Sequence, residues 1–173
     1  PSTHVVSGNK RTSLRQDVQA ELKRRGSTCQ CIRCREVRGE AVEPASLRLE
    51  DLVYHPDGAE EHFLSFVTSS DQVAGFLRLS FPAAVAPATG LKDLEGAAII
   101  REVHVYGQSL RVGGEQEGAA QHAGLGTRLL EEAVRLAREK GNHRMAVIAA
   151  VGTRLYYLER GFRRGDKYLL MDL

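Results

Sequence analysis

The stretch QHAGLGTRLLEEAVRLAREKG, residues 121–141, decides the fold, because it places two glycines directly before a predicted amphipathic helix. Unpaired N–H groups and the positive end of the helix dipole make such an N-terminus a binding site for anions. Gly124 and Gly126 have no Cβ to hold a phosphate away, and both adopt left-handed backbone angles easily. Leu125 and Thr127 contribute amides. We therefore predict a phosphate-binding loop, with a plain turn as the alternative interpretation.

The segments around this helix predict a sheet. Alternating apolar residues broken by turn signals at 47–55 and 61–81 indicate antiparallel strands, and the prolines of 82–96 indicate a loop. The β-branched run AAIIREVHVYG, residues 97–107, predicts a central strand buried on both faces. The remaining predicted elements are a flexible segment at 107–120, a second buried strand in 144–152, a short helix in 152–162 and a last strand in 167–173.

Length and composition indicate one domain with an appendage. The chain has 173 residues, of which 42% are hydrophobic, enough for one sizeable core. No segment reaches the roughly 18 apolar residues of a membrane span, and the N-terminal sequence lacks the apolar core of a signal peptide. We therefore expect a soluble, cytoplasmic protein with no membrane partner. Because the sequence begins with Pro1, we expect it to be processed or to be cut from a longer chain.

Positive charge is concentrated in residues 1–40. This segment has nine Lys and Arg against four Asp and Glu, whereas the rest of the chain has 15 against 18. A basic segment either follows the phosphate backbone of a nucleic acid or forms a solvated helix face, and charge alone does not decide between them. We expect residues 1–40 to form a basic, cysteine-rich segment and residues 41–173 to form a separate domain.

The three cysteines of the chain lie within six residues, as Cys29, Cys31 and Cys34. A compact, odd-numbered cluster without a secretory signal does not indicate a disulfide framework, so metal–thiolate ligation is the better interpretation. Zinc takes four ligands, and these thiolates supply most of that shell. His4 or a residue outside this sequence is the candidate fourth ligand. Three reduced cysteines without a metal are the alternative.

Two motifs together resemble the GNAT acetyltransferases. Gln121, Gly124 and Gly126 match the Q/R-x-x-G-x-G/A loop of that family, and YYLERGF, residues 156–162, matches its late tyrosine followed by Gly-Phe. The resemblance implies a GNAT fold, which is an α/β fold with a mixed, mostly antiparallel central sheet and flanking helices.

A narrower resemblance extends over nearly the whole chain. REVHVYG, QHAGLGTRLLEEAVRLARE, AVIAAVGTRLYYLERGF and CIRCREVRG are similar to the C-terminal lysine-acetyltransferase-like region of the Elongator catalytic subunit family. PSTHVVSGNKRTSLRQDVQ, residues 1–19, resembles the tail of that family's radical S-adenosylmethionine domain. The iron–sulfur cysteines of that domain are absent here. The resemblance thus assigns the iron–sulfur cluster and S-adenosylmethionine to a domain of the same polypeptide outside this sequence.

The narrower resemblance implies a tRNA-modifying enzyme. Acetyl-CoA is the implied cosubstrate, and the product carries a carboxymethyl-type group at C5 of the wobble uridine in the anticodon stem-loop. This domain holds acetyl-CoA and governs thioester cleavage in that scheme, and Elongator-type subunits are implied partners. A protein lysine acetyltransferase is the alternative within enzymes. A zinc-stabilised nucleic-acid-binding module without catalytic activity is the alternative outside them.

The GNAT resemblance also implies roles for the central strand, whose edge pairs with the acyl arm of CoA in that family. The strand residues here are Glu102, Val103, His104 and Val105. Glu102 and His104 share a face by alternation, so both are candidates for the general base. A buried core histidine is the alternative for His104. His122 is expected to contribute its amide to the phosphate loop.

The tyrosine doublet completes the predicted site. Tyr157, four residues before Gly161, matches the position at which GNAT enzymes often place a phenol near the CoA sulfur, so it is the first candidate for protonating the leaving thiolate. Tyr156 is a second candidate, or it packs in the core. In the alternative interpretation both are core aromatics.

Overall fold

The computed structural model describes residues 13–38, 42–86, 88–106 and 124–173. They belong to two compact units that divide between Arg35 and Glu36. Three residues named above, His4, Gln121 and His122, lie outside the described residues, as does the segment 107–120. Among the helices of the described residues, none has the length and apolar character needed to cross a membrane.

The first unit contains two helices, α1 (Leu14–Arg24) and α2 (Ile32–Arg35). α1 buries none of its residues and ends in a basic turn formed by Lys23 and Arg24. Gly26 follows with a φ of +66°, in the left-handed region that ends helices and favours glycine. The cysteine cluster lies on α2 and the turn before it.

The second unit is built around a seven-stranded sheet. Its elements, in chain order, are β1 (Arg48–Tyr54), β2 (Ala59–Val67), β3 (Val73–Pro82), β4 (Ala97–Val105), α3 (Leu125–Glu139), β5 (Arg144–Val147), α4 (Arg154–Leu158), β6 (Arg163–Arg164) and β7 (Leu169–Asp172). The strand order is β1-β2-β3-β4-β5-β7-β6. Every neighbouring pair is antiparallel except β4 and β5, which run parallel.

The main core lies between the sheet and α3. The helix buries Leu125, Leu129, Leu130 and two alanines, Ala133 and Ala137, which recur on one stripe. Alternate residues of the strands meet this stripe: Leu64, Phe66, Leu77, Leu79, Ile100, Met145 and Val147. Burial of each large side chain contributes about 1.5–3 kcal/mol, so this interface is a major source of stability.

This architecture confirms the predicted GNAT fold and the predicted order of elements. Three details differ from the sequence prediction. A two-residue strand, β6, lies between α4 and the last strand. The second buried strand ends at Val147, and Ile148 is 64% exposed. β4 is buried only in its first half: Ala97, Ala98 and Ile100 are buried, whereas the residues from Arg101 onward are exposed or half-buried. The reason is that β5 covers one edge of β4 only as far as Ile100, as described next.

Candidate functional site

β4 and β5 separate halfway along β4. Their parallel pairing runs from Ala97↔Arg144 to Ile100↔Val147, where β5 ends. β4 continues to Val105 and remains paired with β3 on its other side. Within the described residues, β4 from Arg101 to Val105 therefore has no partner strand on the side where β5 lies. Such an edge presents backbone N–H and C=O groups to a ligand that can pair as an added strand.

A β-bulge lies where the two strands part. Arg78 pairs with Glu102 and Leu79 pairs with Ile100, so Arg101 is the extra residue of β4. The bulge shifts the alternation by one residue. Val103 and Val105 consequently pack toward the same core as Ile100, and Glu102 and His104 occupy the opposite face.

The surroundings of Glu102 and His104 are partly polar and partly aromatic. An Arg78 nitrogen lies 3.9 Å from a Glu102 carboxylate oxygen. The His104 ring stacks on Phe76, with centroids 5.8 Å apart, and meets Tyr106 edge-on at 4.5 Å. His104 is exposed, unlike a core histidine. Both side chains are thus accessible from the sheet face opposite α3.

The N-terminus of α3 lies beyond the open half of β4. The first intrahelical hydrogen bond runs from the Arg128 amide to the Gly124 carbonyl at 3.0 Å, so the preceding amides are those that helix geometry leaves for a ligand. Gly124 has φ −83° and ψ −24°. The glycines are therefore not needed here for left-handed backbone. A Cβ at Gly124 would meet no heavy atom of the described residues within 4 Å.

Gly126 has a different reason to be glycine. A Cβ at this position would lie 2.8 Å from the hydroxyl oxygen of Tyr156 and 3.7 Å from a methyl carbon of Val105. The Tyr156 hydroxyl is buried, and it has no hydrogen-bond partner in the described part of the chain. A buried hydroxyl costs free energy unless it is paired, so this oxygen is a candidate contact for a polar ligand atom near the open end of β4.

Tyr157 occupies a different environment from Tyr156. It is 7% exposed, belongs to the main core, and meets the Phe162 ring edge-on at 5.4 Å. Burial raises the pKa of its phenol to about 12. The two tyrosine rings are nearly perpendicular. The Tyr156 hydroxyl faces Gly126, whereas the Tyr157 ring packs in the main core. The structure brings Tyr156, Gly126 and Val105 together and leaves Tyr157 in the core.

Arg160 is a site residue that sequence analysis did not identify. Its guanidinium carbon lies 3.8 Å from the centre of the Tyr156 ring. It donates to the Tyr156 carbonyl at 2.8 Å and to the Thr127 hydroxyl, in the first turn of α3, at 3.1 Å. The four-residue spacing from Tyr156 was the available signal, because such pairs share a helix face.

A groove of about 570 Å³ runs along α3 from this point. Thr127 and Arg160 line one part of it, and Leu130, Val134 and Met171 supply apolar walls. The volume lies within the range of small-molecule sites, about 300–1,000 Å³. The groove is therefore an apolar space adjoining the N-terminal turn of α3.

The sulfur atoms of Cys29, Cys31 and Cys34 all lie within 4.8 Å of one another. Tetrahedral zinc with Zn–S bonds of about 2.3 Å holds its sulfurs about 3.8 Å apart, so the three fit this ion after a small contraction. Hydrogen bonds from Cys29 and Cys34 lower the pKa of the Cys31 thiol to about 7. Arg15 donates to the Cys34 sulfur at 3.2 Å. The described residues supply no fourth ligand to this group.

Comparisons with known proteins agree with this geometry. The chain is 38% identical over its whole length to a tRNA uridine(34) acetyltransferase of Dehalococcoides mccartyi. It is 37% identical, over 98% of its length, to Elongator complex protein 3 of Drosophila melanogaster. It spans 38% and 31% of these two relatives, respectively. No protein-family model matches the sequence.

A solved structure agrees with both relatives. The archaeal Elp3 of Methanocaldococcus infernus, with an N-terminal deletion, superposes with a TM-score of 0.80 at 31% identity, over all of this chain and 42% of that one. The sheet order, the parted strands and the glycine-bearing helix end define a domain of the GNAT class. Within that class, the chain belongs to the family of the tRNA uridine(34) acetyltransferases and Elongator complex protein 3, and matches the C-terminal region of archaeal Elp3.

Proposed function

We propose that this chain is the acetyl-CoA-binding and thioester-cleaving domain of an acyltransferase that modifies C5 of the tRNA wobble uridine. The names of its relatives support the class of substrate. The observation that carries the proposal is the unpartnered edge of β4, which ends beside the N-terminus of α3 and the buried phenol of Tyr156.

The proposed binding mode follows the site from end to end. The amide-bearing arm of CoA pairs with β4 along Glu102, Val103, His104 and Val105, as an added strand. The diphosphate lies at the helix end, on the amides of Leu125, Gly126 and Thr127 above Gly124. Gln121 and His122 are proposed to complete this loop. The apolar groove beside Thr127 and Met171 accommodates the nucleotide end.

The proposed chemistry divides the roles between the two tyrosines. As the C–S bond of the thioester breaks, its electron pair goes to sulfur, and the phenol of Tyr156 supplies the proton. A general acid must lie within hydrogen-bond reach of the atom that it protonates. Tyr156 presents at the strand edge a buried hydroxyl that no described residue pairs with, whereas Tyr157 is buried against Phe162, so the geometry favours Tyr156.

Glu102 is the proposed general base, with His104 as the alternative. Both lie on the face of β4 that the acceptor can approach, and Glu102 directly follows the bulge where the strands part. Arg78 holds the carboxylate near the open edge. Comparing Glu102→Gln with His104→Gln identifies the base, because only loss of the base removes the fall in rate at low pH from the pH–rate profile.

The three cysteines are proposed to bind one zinc ion. Their sulfur spacing and the thiolate character of Cys31 support this assignment. Bound zinc would fix α2 relative to the turn before it, since a structural metal adds its binding free energy to folding. The basic segment of residues 1–40, which contains this cluster, is proposed to contact tRNA. A radical S-adenosylmethionine domain and Elongator-type subunits are further proposed partners.

Calorimetry and a cleavage assay test the proposed function. Titration with acetyl-CoA and with desulfo-CoA measures binding independently of chemistry, and release of free thiol measures cleavage with and without tRNA. Absence of acetyl-CoA binding would leave only the zinc-stabilised nucleic-acid module. Cleavage stimulated by a lysine peptide but not by tRNA would favour the protein lysine acetyltransferase.

The tyrosine roles are tested in the same assay. Tyr156→Phe removes only a hydroxyl, so we expect CoA affinity within about threefold of the parent and cleavage slowed roughly 100-fold. Tyr157→Phe is the matched control and should leave the rate close to that of the parent. The reverse order of effects would return the acid role to Tyr157.

A further inference from the structure

The contacts of Arg160 join two parts of the site. One hydrogen bond reaches the hydroxyl of Thr127 on α3, and another reaches the backbone carbonyl of Tyr156 at the end of α4. The guanidinium plane also covers the Tyr156 ring at 3.8 Å. Arg160 is half-buried, so these contacts are less screened than those of a surface arginine. The side chain thus restrains both the position and the orientation of the ring.

The electrostatic consequence concerns charge on the phenol. A cation over the face of an aromatic ring is attracted to its π electrons, and the attraction grows when the ring becomes anionic. The hydroxyl end of the same ring points at Gly126 and is buried, and no described residue forms a hydrogen bond with it. Among the described residues, Arg160 places a positive charge over the face of this ring.

We propose that Arg160 is a positioning residue that holds the Tyr156 phenol at the open edge of β4 and stabilises the phenolate left when its proton is transferred. The inference rests on the proposed role of Tyr156 in thioester cleavage. The O–H bond of Tyr156 breaks and an S–H bond forms on the departing CoA, so the negative charge moves from sulfur to the phenol oxygen. Solvent then returns a proton to the phenolate.

Arginine suits this role better than lysine. A planar guanidinium stacks on a ring while donating in two directions, to Thr127 and to the Tyr156 carbonyl, whereas a lysine ammonium is a compact charge without a plane. Arg160→Lys therefore retains the positive charge but loses the restraint. Arg160→Gln loses both. Arg164→Gln, on the exposed strand β6, is the matched control for loss of one positive charge.

The first measurement reads the position of the ring without chemistry. The chain has five tyrosines and no tryptophan, so ring ¹³C labelling of tyrosine gives few NMR signals, and Tyr156→Phe assigns one of them. We expect the Tyr156 signal to shift in Arg160→Gln, shift less in Arg160→Lys, and stay in place in Arg164→Gln. The Tyr54 signal, from β1 at the far edge of the sheet, should stay in place throughout and reports that each variant is folded. An unshifted Tyr156 signal in folded Arg160→Gln would overturn the inference.

The second measurement separates positioning from ligand binding. In the full chain with tRNA and acetyl-CoA, we expect Arg160→Gln to lower kcat roughly tenfold or more with a small change in KM, and Arg160→Lys to recover part of the loss. A raised KM with unchanged kcat would instead make Arg160 a phosphate ligand and overturn the inference. Normal cleavage by Tyr156→Phe would defeat the proposed acid itself. Slow Tyr156→Phe with normal Arg160→Gln would defeat only the role of Arg160.

Discussion

At the scale of single residues, the two glycines before α3 serve different purposes. A Cβ at Gly124 would contact none of the described residues, whereas Gly126 borders the phenol of Tyr156, and neither glycine has a positive φ. The sequence pattern located both correctly at the start of the helix. It did not reveal that Tyr156 approaches Gly126, because that contact depends on the packing of α4 against α3, which is a long-range property.

Gly126→Ala should therefore act on chemistry. The new methyl group would lie 2.8 Å from the Tyr156 oxygen, so the phenol must move away from the strand edge. We expect thioester cleavage to fall roughly tenfold or more with the fold retained, because proton transfer depends on hydrogen-bond distance. Gly152→Ala is the control, since its Cβ meets nothing within 4 Å. An unchanged cleavage rate in Gly126→Ala would contradict the assignment of Tyr156.

Asp93 is a second residue whose environment the sequence concealed. It lies in a predicted loop, yet it is 7% exposed and accepts hydrogen bonds from the Lys167 and Tyr168 amides at 2.7 and 3.0 Å. These bonds, that of Lys167 first, hold the pKa of Asp93 below its usual value. The carboxylate thus joins the β3–β4 connection to the start of β7.

Asp93→Asn should destabilise the chain, because the neutral amide oxygen of asparagine accepts the Lys167 and Tyr168 N–H bonds more weakly than a carboxylate does. We expect a lower Tm at pH 7, and less difference between variant and parent at low pH. The sign follows from the lowered pKa: this stability is present above the pKa of an unfolded aspartate, about 3.9, and is lost as pH falls below it. A Tm difference independent of pH would contradict this account.

At the scale of elements, a charged network ties the β1–β2 hairpin to the end of α3. His62, which is 5% exposed, lies between Asp51 at 2.7 Å and Glu60 at 2.8 Å. Lys140, directly after α3, pairs with the other side of the network through Glu60. Lys140 and His62, in that order, lower the pKa of Glu60 to about 2.

Glu60→Gln is expected to make the free energy of unfolding fall less steeply as the pH is lowered. Because the folded pKa is lowered, the contribution of Glu60 is complete above the pKa of an unfolded glutamate, about 4.3, and declines as pH falls toward 2. Urea unfolding at pH 7 and at pH 3 measures it. We expect the variant to be less stable than the parent at pH 7, with a smaller gap at pH 3. A gap that widens on acidification would show that another pair dominates.

The cysteine cluster on α2 and the turn before it allows a direct test of zinc binding. Purified parent protein should contain about one zinc per chain, and Cys31→Ser should lose it, because serine does not replace a thiolate as a zinc ligand. Gln30→Ala, within the same turn, is the control. Elemental analysis gives the zinc content. If the parent chain binds no zinc when its thiols are kept reduced and zinc is supplied, the proposal is contradicted.

At the scale of the whole molecule, local pattern predicted most of the fold. The periodicity of apolar residues in the sequence predicts the amphipathic stripe of α3 and the alternating strands, and hence the order of these elements. The parting of β4 from β5 was not. Ile148 to Ala150 continue the apolar run of β5 in sequence, and only the sheet shows that pairing stops at Val147. The bulge at Arg101 was hidden for the same reason, since register is set between strands.

The gap between β4 and β5 is a place in the sheet that a ligand can fill as an added strand and then leave. If acetyl-CoA occupies the gap, it continues the hydrogen-bonded ladder of β4 beyond the point where β5 ends at Val147. The amides of β4 from Arg101 to Val105 then report ligand occupancy through their rates of exchange with solvent. Hydrogen exchange there should slow on adding desulfo-CoA, while the Ala97 to Ile100 amides change less. The same linkage raises global stability by about 2.7 kcal/mol at a ligand concentration of 100 times Kd. The concentration of acetyl-CoA would then change the fraction of this domain that is folded as well as the fraction that is occupied.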